Sequence, residues 1–182
     1  MADLEIDLGG GAILRSLTPA DGEVVAGLVE ANRVRLARWF AWADTAGDAA
    51  QQSAWIEERR ANPASLGPNG VVVGGEVVGG CDLWVHRRED VGELGFWLDE
   101  GAIGRGLITR AGQALLTEGF ETFGLHRIQL RAGVENLRSR AVAKRLKMRE
   151  EGVLRGAGKV GGGRYVDLVM YGLLDEDWRL TR

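Results

Sequence analysis

The run Glu100-Gly101-Ala102-Ile103-Gly104-Arg105-Gly106-Leu107-Ile108-Thr109 carries the sharpest chemistry in the sequence. A strand-like segment ends just before it, two glycines flank an arginine, and helical spacing begins at once. The first turn of a helix has unpaired N–H groups and a partial positive charge, and glycines let a ligand approach the main chain, so this turn can cradle a pyrophosphate. A Walker A loop is excluded: Gly101 and Gly106 have the required gap, but Leu107 and Ile108 stand where Lys and Ser/Thr must be. A dinucleotide fingerprint is excluded as well. Its third glycine would fall on Thr109, the turn follows antiparallel strands, and no acid ends the next strand, IQLRA.

Such a turn needs elements to hold it. After a glycine tract at Gly9–Gly11 that reads as disordered, AILRSL is strand-like. Thr18-Pro19-Ala20-Asp21 supplies a capping threonine, a proline at the first helical position and an acid at the third. Val25, Leu28, Val29, Asn32 and Leu36 then keep helical spacing, with one asparagine in the apolar row. Asp48 and Gln51 form a capping box for a second helix containing Trp55 and Ile56, and Arg38-Trp39-Phe40-Ala41-Trp42 is an aromatic linker between the two. Three antiparallel strands follow in VVV, VVGGCDLWV and VGELGFWL, with turns at Gly74-Gly75-Glu76 and HRRED. Helical spacing runs from Ile108 through Ala111, Leu115, Leu116 and Phe120 to Phe123 and stops at Gly124. HRIQLRAG is a strand, Asn136 caps the helix NLRSRAVAKRLKM, EEGVLRG is a short strand, GAGKVGGGR a flexible hairpin loop, and YVDLVMYGLL a long strand. The order is β-α-α-β-β-β-α-β-α-β-β.

At 182 residues, 45% hydrophobic and 27% charged, the chain can bury one sizeable core, so one domain over 1–182 is expected. It contains neither a membrane-length apolar run nor a basic, apolar leader, so a cytoplasmic protein without membrane attachment is expected. The single Cys81 cannot form an internal disulfide, and two histidines 40 residues apart give no zinc spacing, so no metal is expected. Charge is uneven. His126–Arg164 holds eleven Lys/Arg against three Glu, a net +8, which suits a polyanion with several phosphates or is simply a solvated face. The rest of the chain carries −11 and suits a cationic partner such as an amine.

GELGFWLDEGAIGRGLITRA resembles the fourth strand and pyrophosphate loop of the GNAT acetyltransferases, especially the ribosomal-protein-serine N-acetyltransferase type. NLRSRAVAKRLKMREEG resembles that group's Asn-x-x-Ser helix, LHRIQLRAGVEN its preceding strand, YVDLVMYGLLDEDW its final strand, and RWFAW its aromatic segment. Four positions depart from the family pattern: Ile103 where Gln or Arg is frequent, Ile108 where Gly or Ala is frequent, Lys147-Met148 where a Gly-Phe pair is frequent, and Ala143 where a catalytic Tyr often stands.

The resemblance implies an α/β (α+β) fold: one GNAT-like domain with a mixed, mostly antiparallel sheet of about seven strands, flanked by about four helices and splayed between strands 4 and 5. It implies acetyl-CoA as co-substrate. The backbone of Phe96, Trp97 and Leu98 would pair with the pantetheine amides, Gly104, Arg105, Gly106, Leu107, Ile108 and Thr109 would hold the pyrophosphate, and the Asn136 amide would add a bond to the pantetheine. The acceptor would be a primary amine, of a small molecule or of a protein N-terminus such as a ribosomal protein's. A homodimer is implied and nucleic acid is not.

Amines must be neutral to attack a thioester, yet α-amino groups titrate at about 7.7–8.0 and lysines at about 10.4. Glu93, which by period two shares a strand face with Gly95 and Trp97, is the candidate general base through water; the alternative is a solvent-facing edge glutamate. Ser139 is the candidate general acid for the departing thiolate, on one helix face with Val142 and Leu146; the alternative is a first-turn serine bonded to backbone. His86 in a turn and His126 packed at a strand start are weaker bases. Trp39 and Trp42, with Phe40, either wall the acceptor site or wedge between helices. Arg140 and Arg145 either reach the nucleotide phosphates or lie on a solvated face. A noncatalytic acyl-CoA sensor, a transferase of larger acyl groups and an RNA-associated module remain as alternatives.

Overall fold

A computed structural model describes residues 3–62 and 65–180. Its elements are β1 (Glu5–Gly9), β2 (Ala12–Ser16), α1 (Gly22–Ala37), α2 (Trp42–Thr45), α3 (Ala49–Ala61), β3 (Ser65–Leu66), β4 (Asn69–Val73), β5 (Glu76–His86), β6 (Val91–Leu98), α4 (Leu107–Thr117), β7 (Arg127–Gly133), α5 (Leu137–Arg145), β8 (Arg149–Lys159), β9 (Tyr165–Leu174) and α6 (Asp175–Leu180). Among the described residues the strands make one nine-stranded sheet in the order β1-β2-β4-β5-β6-β7-β9-β8, with β3 on β5. All pairs are antiparallel except β6 with β7.

Period two explains why this sheet can be covered on both faces. Along β5, Cys81, Leu83 and Val85 are buried in one core, where they meet Leu94, Ile128, Leu130 and Tyr171 beneath Leu107, Ala111 and Leu115 of α4. On the other face Val25 and Val29 of α1 and Ile56 of α3 pack on Val72 and Val77. Each fully buried leucine contributes about 1.5–3 kcal/mol, so the apolar row of α4 is what holds the helix N-terminus against the end of β6.

The fold class agrees with the sequence reading, and several details differ. The sheet has two more strands than expected: the two-residue β3 on β5, and β1, because Gly9–Gly11 is the turn of the β1–β2 hairpin, where all three residues have positive φ that glycine adopts without Cβ strain. EEGVLRG belongs to an eleven-residue strand, β8, which includes much of the expected loop. The remaining tip is anchored, with Gly162 N donating to Asp44 Oδ2 at 2.7 Å. Among the described residues six α-helices replace the expected four, since α2 begins at Trp42, where the aromatic linker ends, and α6 follows β9. His126 is exposed rather than packed, because only its backbone is used, donating to the Asp90 carbonyl at 2.8 Å. Lys147 has φ +62, the left-handed conformation that explains the glycine frequent at that position in the family.

Asp82 faces away from the first core and accepts the Asn69 N–H at 2.7 Å. Burial pushes its carboxyl up to about 7, against the lowering by that N–H and by Arg59. A carboxyl raised above its unfolded value of about 3.9 stabilises fully below that value, and the contribution is lost as pH rises through about 7. Asp82→Asn keeps an oxygen for Asn69 and cannot ionise. It is expected to raise Tm relative to the wild type at pH 8 and to lose that advantage by pH 4, as read by parallel thermal melts; an advantage independent of pH would refute the assignment.

Candidate active site

The glycine turn is built from its own sequence. Asp99 Oδ2 accepts from Gly101 N at 3.0 Å, a single 3-10 turn covers Glu100–Ala102, and Gly104 and Gly106 have φ +85 and +72. Gly106 is the N-cap of α4, and a Cβ added at either glycine would meet nothing within 4 Å. The Arg110 N–H bonds the Gly106 carbonyl, so the N–H groups of Leu107, Ile108 and Thr109 are the free first-turn donors. Leu107 and Ile108 send their side chains into the core, so the cradle is made of main chain.

α1 holds this turn in place through Asn32, the polar residue in its apolar row. Asn32 is 5% exposed, yet both ends of its amide are engaged. Nδ2 donates to Asp99 Oδ1 at 2.7 Å and to the Leu28 carbonyl at 2.9 Å, while Oδ1 accepts from Arg35 Nη2 at 2.7 Å and from Glu100 N at 3.1 Å. Arg35 also donates to the Leu98 carbonyl. A buried amide is tolerated only when bonded, so this network ties the helix before the aromatic segment to the strand end before the turn.

β6 and β7 pair only at Val91↔Arg127, Gly92↔Ile128 and Glu93↔Gln129, then part. This is the expected splay. From Leu94 onward the β6 edge facing β7 has no strand partner, so its main-chain groups can accept an added peptide-like chain. A cavity of about 770 Å³ joins this edge to the glycine turn. Of the predicted site residues, Trp39, Phe96, Trp97, Leu98, Gly104, Arg105, Gly106, Leu107, Ile108, Thr109, Asn136 and Ser139 all line it, as does Arg145. Asn136 Oδ1 caps α5 by accepting from Ser139 N at 3.2 Å, which leaves its NH₂ group for a ligand.

Glu93 and Trp42 lie outside the lining. Glu93 holds the last paired position before the strands part, where Oε1 accepts from Arg131 at 2.7 Å and Oε2 from Gln129 at 3.1 Å. Trp42 stacks on Phe40 with centroids 5.4 Å apart and meets Trp97 edge-on at 6.3 Å. Arg140 is not at the cavity, because it is held by Tyr171 Oη at 3.0 Å and by the Val134 carbonyl. Sequence reasoning missed Arg35, Arg110 and Arg138, which line the cavity. For Arg110 the available signal was helical phase, one turn after Gly106. Part of the basic stretch is spent on structure, with Arg127 paired to Glu151, Arg131 to Glu93 and Arg140 to Glu150, while Arg138 and Arg145 line the cavity. Among the described residues, no group of three or more His, Cys, Asp or Glu could hold a metal.

A main-chain anion cradle opening onto an unpaired strand edge, with arginines around it, fits coenzyme A: diphosphate on the donors, pantetheine along the strand. These features define an acyl-CoA-dependent transferase. The model for the GNAT acetyltransferase domain matches residues 12–149, and the chain belongs to that family. It is 35% identical over 173 residues to the Bacillus subtilis (strain 168) protein named "Putative ribosomal N-acetyltransferase YdaF", covering 91% of this chain and 92% of that one. Its fold matches that of RimL, the ribosomal L7/L12 alpha-N-protein acetyltransferase in complex with coenzyme A, with TM-score 0.88, 21% identity and 96% and 99% of the two chains covered. It also matches the microcin C7 self-immunity acetyltransferase MccE in complex with acetyl-CoA and AMP, with TM-score 0.84, 20% identity and 92% and 94% covered.

Proposed function

We propose that this acetyltransferase moves the acetyl group of acetyl-CoA onto a primary amine, by direct attack, at the point where β6 and β7 part. The observation that carries this reading is the position of Glu93, the last paired residue beside the open edge. Acetyl-CoA supplies an activated acetyl thioester. The N–H groups of 107–109 bind its diphosphate, and the free edges of Phe96 and Leu98 orient its pantetheine. Arg35 occupies one lone pair of the Leu98 carbonyl and leaves the other. Glu93 Oε2, with one bond from Gln129, retains a lone pair for a water that takes the ammonium proton. Ser139, in the first turn of α5, lines the cavity, and its hydroxyl protonates the leaving sulfur.

A protein N-terminus is the acceptor in line with the names of YdaF and RimL, and a small amine is the other source. One continuous sheet from Glu5 to Leu174 supports reading the chain as a single acyltransferase domain. Exposed Val153, Leu154 and Tyr165, on edge strand β8 and its neighbour β9, support a homodimer. A cytoplasmic location accords with the finding that no helix among the described residues is long and apolar enough to cross a membrane. Calorimetry with acetyl-CoA and CoA, followed by CoA release over a panel of amines and peptides with mass spectrometry of products, tests the reading. Binding followed by release with an acetylated amine is expected. Binding without turnover on any acceptor would make the protein an acyl-CoA sensor, and absence of binding would overturn the reading entirely.

A further inference from the structure

The acidic bulk of the chain suits a cationic acceptor, but the site itself does not. Five arginines, at 35, 105, 110, 138 and 145, line the cavity, and no aspartate or glutamate does. Three acids on elements or turns around the aromatic segment already have partners. Glu93 accepts from Arg131 and Gln129, Asp44 from the Gly162 N–H, and Glu135 pairs with Arg38 at 3.9 Å. With arginines around the cradle that fits the diphosphate, a second ammonium on the acceptor would be taken from water with no carboxylate in the lining to receive it.

What the site offers instead is aromatic surface. Trp39, Phe40 and Trp97 line the cavity, and Trp42 leans on Phe40 and Trp97 while remaining 40% exposed. An aromatic group left this open near a cavity marks a surface that gains by being covered. Arg38 stands 5.0 Å from the Trp39 centroid and Arg59 3.2 Å from that of Trp84, whereas no cation stands over Phe40, Trp42 or Trp97 among the described residues. Beside this wall β6 has no side chain at Gly95, and the Trp84 indole nitrogen lies 3.7 Å from where a Cβ there would stand. Gly95 separates Glu93 from Trp97 on one strand face, and Gly80 lies in register with Trp97, so close that a Cβ there would stand 3.0 Å from the indole nitrogen. An amine where β6 and β7 part thus has Glu93, the last paired residue, on one side and the aromatic wall around Trp97 on the other.

We propose that the acceptor is a monoamine with an apolar, preferably aromatic, group close to the amino nitrogen, seated against Phe40, Trp42 and Trp97, and that polyamines are excluded. This rests on the reading of the protein as an acetyl-CoA-dependent amine acetyltransferase. The chemistry is shared by a free arylalkylamine and by a peptide that begins with an aromatic residue.

The test uses the full chain with saturating acetyl-CoA, with 2-phenylethylamine, spermidine, and two tetrapeptides that differ only in beginning with Phe or Ser. Phenylethylamine or the Phe-led peptide is expected to exceed both spermidine and the Ser-led peptide by at least about tenfold in kcat/KM, and the faster of the two identifies the source. Trp42→Ala, at a position 40% exposed, is expected to reduce that preference about tenfold through KM for the aromatic acceptor, with a thermal melt confirming that the variant is folded. Equal or faster use of spermidine or the Ser-led peptide overturns the proposal, as does a preference that survives both Trp42→Ala and Trp97→Ala. No turnover on any acceptor, with acetyl-CoA still bound by calorimetry, overturns it too; loss of acetyl-CoA binding would instead overturn the proposed function.

Discussion

Replacing Gly106 with valine is expected to weaken CoA binding about 100-fold, equivalent to about 2.7 kcal/mol, while leaving a folded protein. Gly106 adopts φ +72 as the N-cap of α4, and a side-chain residue there meets a left-handed penalty of about 1–2 kcal/mol. No protein atom lies within 4 Å of the added Cβ, so the substitution causes no internal clash. It instead places atoms in the space where the diphosphate must approach the N–H groups of 107–109. Gly124 is the control: φ +62, nothing within 4 Å of its Cβ, and no place in the cavity lining. Gly124→Val is expected to lower Tm by a few degrees, as Gly106→Val does, and to keep CoA affinity within about twofold. Calorimetric titration of both variants decides. If they bind CoA equally well, the cradle does not lie at Gly106.

Glu93→Gln is expected to show the opposite signature. CoA affinity should stay near that of the wild type, because Glu93 lies outside the cavity lining, while kcat/KM for the amine falls about 100-fold or more. Glutamine preserves shape and one acceptor oxygen for Arg131, so the loss reports the carboxylate's proton-accepting capacity. Single-turnover rates at saturating acetyl-CoA separate this step from binding and release. A decrease of less than about threefold would leave Glu93 as only the partner of Arg131, since general-base catalysis is worth about 100-fold or more. Ser139→Ala should act on the same step with intact CoA affinity, but more weakly, since water can protonate a thiolate that leaves readily.

The two variants probe different kinds of information. The requirement for glycine at Gly104 and Gly106 is local, a matter of which φ a helix entry needs and how near a ligand must come, so it is legible from ten consecutive residues. Asn136 as a cap and Ser139 one turn into α5 are legible for the same reason, and the structure places both on the cavity. The Gly9–Gly11 turn was equally local and was misread, because a glycine run signals a tight hairpin and a floppy tail alike until the pairing strand is known.

Local periodicity in the sequence determined the strands around the site, the glycine-led helix entry and the order of the longer elements, because each depends on neighbours within a few residues along the chain, though it did not determine β1, β3, α2 or α6. Only the tertiary structure decided which charges are spent and which remain. Glu93 meets Arg131 across 38 positions, Asn32 meets Asp99 across 67, and Gly162 meets Asp44 across 118. Such pairings are set when strands and helices close on one another, at distances of a few ångströms that no spacing along the chain encodes. For that reason the −11 carried outside 126–164 suggested a cationic acceptor, while the folded cavity is lined by arginines and aromatic rings.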